Sequence, residues 1–313
     1  PIGVVFNGTG AQSIATGGSG TGKAFGALTV NKASGTATLT GASGALRTVM
    51  LFVVSGTFDT SSVSNLAVTA DFVNITGGTF IANNSIVTVG GYWANSGTFT
   101  AGGSTVTFDG STGQTIAGNT SFYNLTKSIT TPAQTMNFTA GSTTTVANSL
   151  TFSGTSGNLL SLRSTSNGSQ WGLVAPVSSI ADFVDVRDSN NSGTPITSTN
   201  SVNSGNNAGW VFNQPPAGTD KTVTTGVNTP YAFSVADFGY SDPDAGDLMS
   251  GVKIITLPAA GDGTLTVSGN PVASDQVIPT ASISSGLLVY APASNSTTSG
   301  TFTFSVGDTN GPA

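Results

Sequence analysis

Val4-Val5-Phe6-Asn7-Gly8, leading to Gln12-Ser13-Ile14-Ala15, returns as Val106-Thr107-Phe108-Asp109-Gly110 leading to Gln114-Thr115-Ile116-Ala117, a constant offset of 102 residues. Each copy runs into a matching segment, Phe25-Gly26-Ala27-Leu28-Thr29 and Phe122-Tyr123-Asn124-Leu125-Thr126, at an offset of 97, so five residues are lost from the loop at 17–22. A shorter period lies inside the long one. Ser55-Gly56-Thr57-Phe58, Gly77-Gly78-Thr79-Phe80 and Ser96-Gly97-Thr98-Phe99 are spaced by 22 and 19 residues. That is the length of one solenoid coil: a short strand buries alternate side chains, Gly or Asn turns the corner, and the next coil stacks at about 4.8 Å with like residues aligned. The pattern predicts a ladder of Phe58, Phe80 and Phe99, with Phe108, Phe122, Phe138 and Phe152 in the same core.

Composition agrees. Charged residues are 7% of the 313, against about 25% in ordinary domains, so Ser, Thr, Asn and Gly must cover the surface. Helix formers are scarce, Thr, Val, Phe and Ile are plentiful, and 42 glycines punctuate the pattern, which predicts an all-β chain. Cysteine, histidine and glutamate are absent, leaving aspartate as the sole acidic residue. Thiol nucleophiles, Cys/His zinc sites and imidazole-based triads are thereby excluded, and no catalytic residue is expected. A net charge of -6 with scattered basic residues argues against nucleic acid. The longest apolar run, residues 49–54, is far short of the ~18 to 20 that a membrane helix needs. The sequence begins at Pro1 without a signal peptide or initiator Met, which reads as a processed chain or a piece of a longer one.

From about Asn158 the texture changes, through Gln170-Trp171-Gly172-Leu173 and Ala181-Asp182-Phe183-Val184-Asp185-Val186-Arg187-Asp188, to Gly205-Asn206-Asn207-Ala208-Gly209-Trp210-Val211-Phe212. These read as the last coils and a C-terminal cap, with Trp171 and Trp210 covering the open core end. Residues 1–212, with their "VTFDGSTGQTI…FYNLT" and "GNNAGWVF" phrases, resemble repeat segments of very large bacterial cell-surface, adhesin-like proteins. The resemblance implies a right-handed, parallel β-helix-like solenoid serving as a stalk.

Asn213-Gln214-Pro215-Pro216-Ala217-Gly218 reads as a stiff joint at 213–218. A second domain, 219–313, follows with strands expected at 221–225, 231–235, 252–255, 263–267, 287–290 and 301–306, a spacing that suits a β-sandwich. Here Tyr231-Ala232-Phe233-Ser234, Asp237-Phe238-Gly239-Tyr240-Ser241-Asp242-Pro243-Asp244, Gly286-Leu287-Leu288-Val289-Tyr290-Ala291-Pro292 and Phe302-Thr303-Phe304-Ser305-Val306-Gly307-Asp308 resemble the cadherin-like, immunoglobulin-like repeats of bacterial RTX-type adhesins. That family continues into a final strand beyond the position of Asp308. The resemblance therefore implies that the last strand is missing or donated by a neighbour, with residues 2–6 as the expected donor.

Asp242-Pro243-Asp244-Ala245-Gly246-Asp247 puts three carboxylates on a Gly/Pro turn, a spacing that can wrap oxygens around a hard cation such as Ca²⁺. The same aspartates can instead cap turns through their own backbone. In the family resembled, such loops and the terminal Asp sit at calcium-dependent joints, which adds Asp237 and Asp308 to the expected metal ligands Asp242, Asp244 and Asp247. Asp182, Asp185 and Asp188 form the solenoid's acidic cluster; alternation puts Asp182 with Val184 and Val186, and Asp185 with Arg187 on the other face, so the carboxylates are not expected to converge. Thr36-Ala37-Thr38-Leu39-Thr40 and Thr143-Thr144-Thr145 could present a flat hydroxyl array, as in ice-binding solenoids, a pattern Thr also gives simply by favouring strands.

The expectation is an extracellular, cell-surface, non-enzymatic structural or adhesive protein, secreted by a bacterium, whose partners are copies of itself and possibly surface glycans. The alternative is a β-helix protein that binds or degrades polysaccharide.

Overall fold

The computed structural model describes residues 3–15, 24–40, 45–61, 65–244 and 246–309. The chain is nearly all β, 3% helical, with a parallel β-solenoid of about 8 turns followed by antiparallel sheets. It divides into two compact units, Pro1–Phe212 and Asn213–Ala313. The loop at 17–22 and Ile2 lie outside the described residues.

Apolar residues alternate with Thr, Ser and Asn along each short strand, so one side of every strand is driven inward. Three faces result. On the first, Val4 pairs in register with Leu28, then Leu51, Val73, Trp93, Ile116 and Phe138. On the second, Ala37 pairs with Phe58, Phe80 and Phe99. On the third, Val68 pairs with Val87, Val106, Leu125 and Leu150. Every ladder is parallel, because each coil returns to its starting face after a full circuit. The 102-residue repeat is a repeat of pairing: Val4 meets Leu28 as Val106 meets Leu125, and Gln12 meets Ala37 as Gln114 meets Met136.

The expected phenylalanine ladder is present. Phe58 and Phe80 are fully buried and Phe99 is 9% exposed, with ring centroids 5.1 Å and 5.3 Å apart along the column. Trp93 joins from the first face at 4.8 Å from Phe99. Phe108, Phe122, Phe138 and Phe152 are buried too. Such ring pairs add about 0.5 to 1.5 kcal/mol each beyond the area they bury.

Corners are where stacking is tightest. Gly118 turns one with φ of 82°, and a Cβ there would lie 2.0 Å from the carbonyl oxygen of Asn95 in the coil below. Only glycine satisfies both conditions.

Two details of the last coils differ from expectation. Trp171 is fully buried, stacked on Phe138 at 3.8 Å and 7°. It is core and not a cap, because the strand Ser189–Asn191 pairs over it. Trp210 does lie at the end, half-buried against the core beside Phe212. The strand expected through Asp182 to Arg187 is broken at Phe183, whose φ is 51°, into Ser178–Asp182 and Val184–Val186. That corner resets the alternation, so Asp182 points outward beside buried Ala181 and does not share a face with Val184 and Val186.

In the second unit, Tyr231–Ala232, Leu288–Pro292, Gly263–Val267 and Asn270–Pro271 form one antiparallel sheet, and Val277–Pro279, Met249–Thr256 and Thr303–Asp308 another. Phe233, Phe238, Val252, Leu265 and Leu288 belong to its common core. The strand expected at 221–225 joins no ladder. The strand expected at 231–235 stops early, since the carboxylate of Asp237 captures the Ser234 backbone N–H and hydroxyl and starts a 3-10 turn over Val235–Phe238. Residues of the expected joint are fastened to this unit. Ala217 and Ser241 exchange backbone hydrogen bonds at 2.8 Å and 2.9 Å.

Candidate functional site

The acidic loop and the end of the last strand come together in the second unit. Asp242, Asp247 and Asp308 each present a carboxylate oxygen within 4.8 Å of the others. Asp308 is held on the strand Thr303–Asp308 and is 1% exposed, whereas Asp242 and Asp247 flank the turn and are half-buried. Asp242 Oδ1 accepts the Asp244 backbone N–H at 2.7 Å, which closes the turn, and its Oδ2 accepts the Tyr240 hydroxyl at 3.1 Å. The Tyr240 phenol is pushed up to about 12, first by burial, then by that hydrogen bond and by the charges of Asp242, Asp308 and Asp247. Asn213 completes the surroundings, donating from Nδ2 to Asp308 Oδ2 at 3.2 Å.

The other two expected ligands have separate work. Asp244 turns away to accept the Gln214 backbone N–H at 2.5 Å. Asp237 sits among Lys221 Nζ at 2.5 Å, the Tyr231 hydroxyl at 3.1 Å and the Ser234 N–H and hydroxyl at 2.8 Å and 2.9 Å. Burial alone would raise its pKa, but hydrogen bonds from Lys221, Ser234 and Tyr231 outweigh it and bring it to about 2. Reciprocally, the hydrogen bond to Asp237 raises Lys221. A cleft of about 740 Å³ opens beside this group, between the unpaired stretch 220–227 and residues 296–304.

The solenoid aspartates do not converge. Asp182 accepts from Thr199 Oγ1 at 2.8 Å and Asn200 Nδ2 at 2.9 Å, and Asp185 pairs with Arg163 and Ser204. Asp188, 2% exposed, accepts from Asn206 Nδ2 and the Gly168 N–H, with Arg187 Nε at 3.6 Å. Arg187 therefore pairs with Asp188, while Asp185, on the same side of the strand, is taken by Arg163 of the preceding coil.

Two buried lysines escaped the sequence reading. Lys32 Nζ donates to the carbonyls of Gly8 and Gly10 and to Gln12 Oε1 at 2.6 to 2.8 Å. Lys127 Nζ donates to Gly110 O, Gln114 Oε1 and Gln134 Oε1 at 3.0, 2.5 and 2.7 Å. Gly8 and Gln12 are the counterparts of Gly110 and Gln114, 102 residues on, so each long repeat carries one cationic clasp on its Asn/Asp-Gly corner. Burial pulls Lys127 down to about 8, against the pull of Asp109.

The solenoid exterior is ordered. Thr69, Thr88, Thr107, Thr126 and Thr151 stand on successive rungs of one face, and Thr36, Thr57, Thr79 and Thr98 on another. Of the expected arrays, Thr36 belongs to a rank, while Thr144 is buried at 2%. The first face carries an apolar row instead: Met50, Phe72 and Tyr92, paired rung to rung and 37 to 41% exposed. Among the described residues, no helix is long and apolar enough to cross a membrane.

No protein family, no curated protein and no solved structure matches the chain.

Proposed function

We propose that the chain is an extracellular structural or adhesive protein: a segment of a bacterial cell-surface fibre, stalk or sheath that assembles through strand pairing and end-to-end stacking and catalyses nothing. The observation that carries this reading is the state of the first rung. Gly3–Phe6 pairs with residues 27–30, so it is seated on its own solenoid and not available as a strand for a neighbouring sandwich. Its inward Val4 and Phe6 are only half-buried and Val5 is 57% exposed. Half-covered apolar residues on an edge strand favour a further rung, supplied by adjoining chain or by another copy. The sparsely charged composition and the likeness to adhesin repeats and cadherin-like domains favour the cell surface.

Electron microscopy of the purified chain, with antibody labelling of intact producing cells, tests this. Axial assemblies and surface label are expected. Val5→Lys, a charge on the exposed edge, should shorten or abolish the assemblies without unfolding the chain. A strictly monomeric wild type, or label confined to the cell interior, would sink the proposal.

The row of Met50, Phe72 and Tyr92 favours a second reading, binding of a neutral polysaccharide that stacks on exposed rings. Tyr92→Ala together with Phe72→Ala should then abolish retention on insoluble glycans while leaving assembly intact.

A further inference from the structure

The stretch 220–227 mixes Thr and Val as a strand would, yet it joins no ladder. It is pinned at both ends instead. Just before it, the Thr219 backbone N–H donates to Phe238 O at 3.1 Å. Just beyond it, Asn228 Nδ2 donates to Asn295 Oδ1 at 3.0 Å and the Asn295 N–H donates back to Asn228 Oδ1 at 2.8 Å. The facing stretch is fixed as well, by Thr298 Oγ1 on Asp262 Oδ1 at 2.8 Å and by the Thr303 N–H on Thr256 Oγ1 at 2.9 Å. Between these tied walls lies the cleft of about 740 Å³, within the roughly 300 to 1,000 Å³ of pockets that enclose small ligands. Aromatic rings line it: Phe233 is buried, and the half-buried Tyr231 and Phe302 both stand edge-on to it, at 5.2 Å and 5.4 Å.

The polar end of the cleft has bonding capacity left over. Asp237 Oδ2 accepts from the Tyr231 hydroxyl and from the Ser234 N–H and hydroxyl, whereas Oδ1 accepts from Lys221 alone. A carboxylate has about four acceptor sites, so one remains, on Oδ1. Lys221 Nζ carries three donors, of which Asp237 takes one. The Lys221 side chain is 48% exposed, against 3% for Asp237. An ammonium with free donors beside a carboxylate with a free lone pair matches two adjacent hydroxyls, one accepting from Lys221 and the next donating to Asp237. A sugar ring that carries such hydroxyls also has an apolar C–H face, whose positive hydrogens are drawn to the negative face of an aromatic ring. Lys221 is the one basic residue of the lining and shares it with Asp220 and Asp237, so an anionic ligand is disfavoured. We propose that this cleft binds one neutral sugar residue, held through adjacent hydroxyls by Lys221 and Asp237 and through its apolar face by Tyr231 and Phe302. The proposal rests on the adhesive reading and names the chemistry that the second unit recognises.

The test titrates the full chain with the methyl glycosides of glucose, galactose, mannose and N-acetylglucosamine, and with methyl glucuronide in parallel, followed by calorimetry and saturation-transfer NMR. At least one neutral glycoside should bind, one per chain, with Kd of about 1 mM, the range open to so small a ligand. Lys221→Met and Phe302→Leu, chosen to keep the packing at each position, should each weaken binding about tenfold or more. Thermal unfolding of both variants checks that they fold. Phe72→Ala with Tyr92→Ala, on the solenoid, should leave the affinity unchanged. No binding of any neutral glycoside at about 10 mM, glucuronide bound as tightly as the best neutral one, unchanged affinity in both cleft variants, or loss of binding in the solenoid double variant would overturn the assignment. The readout is a soluble sugar and not assembly: fibres that bind no sugar refute the cleft alone, and a strictly monomeric chain that binds sugar refutes the fibre alone.

Discussion

The two units spend extended backbone in opposite ways. In the first, each strand is paired in parallel with the strand one coil earlier, and the partners Val4, Leu28, Leu51, Val73, Trp93, Ile116 and Phe138 stand 20 to 24 residues apart. In the second, Met249–Thr256 pairs antiparallel with Thr303–Asp308, some fifty positions away, and with Val277–Pro279 on its other side. A unit of the first kind is a sum of neighbour contacts, whereas one of the second kind closes all at once. The core of the first is a column that can be lengthened or shortened; the core of the second is a single cluster.

The largest test of this contrast is excision. Removing residues 87–105 takes out one coil and lets Val68 pair with Val106, so a folded, shorter solenoid is expected, with its β-type circular dichroism and protease resistance retained. Removing residues 263–267 should abolish protease resistance of the second unit, because that strand is hydrogen-bonded to both Leu288–Pro292 and Asn270–Pro271. Survival of the second deletion, or loss of the first, would erase the distinction. At the next level, Phe80→Ala should cost about 3 to 5 kcal/mol by opening the column between Phe58, Phe99 and Trp93. Denaturant melts would measure it.

Stacked corners and free turns should also differ. Gly118 and Gly269 both have φ near 80° (82° and 77°), but a Cβ on Gly269 meets nothing within 4 Å. Gly269→Ala should therefore cost only the backbone conformation, about 1 to 2 kcal/mol, and Gly118→Ala distinctly more, since it also meets the Asn95 carbonyl.

The smallest expected effect is a pH response in two separate windows, acid for the second unit and alkaline for the solenoid, with stability rising as pH rises through each. Asp237 has its pKa lowered to about 2, so it stabilises the second unit above the unfolded value near 3.8, and this is lost as pH falls through 2. The loss should be about 1 to 2 kcal/mol, the half-exposed Lys221 being partly screened. Lys127 is lowered to about 8. The unfolded chain then holds the proton more tightly, and solenoid stability should rise between pH 8 and 10.5. Lys127→Met should remove that alkaline gain while leaving the acid response untouched.

The same contrast explains what could be read in the sequence. Phe58, Phe80 and Phe99 announced their ladder because partners one coil apart repeat a phrase. Lys127 announced nothing, since its partners come from the corner at Gly110 and Gln114 and from Gln134 on another strand, and neither lies next to it in the sequence. In the second unit Val252, Leu265 and Leu288 were legible as strand residues by alternation alone. The fate of 231–235 was not, because it is decided by the carboxylate of Asp237, three residues after Ser234, which also holds Lys221 and Tyr231. The acidic loop named Asp242 and Asp247 as neighbours, whereas Asp308, the third carboxylate beside them, stands at a strand end about sixty positions further on and was reachable only through the resemblance.

Coil length varies by several residues while the rise per coil is set by backbone hydrogen bonding at about 4.8 Å. Extra residues swell a corner and leave the reach unchanged; only a whole added circuit moves the tip outward. A chain built this way is a ruler graduated in hydrogen bonds, and its reach is counted in circuits whatever the number of amino acids spent on each.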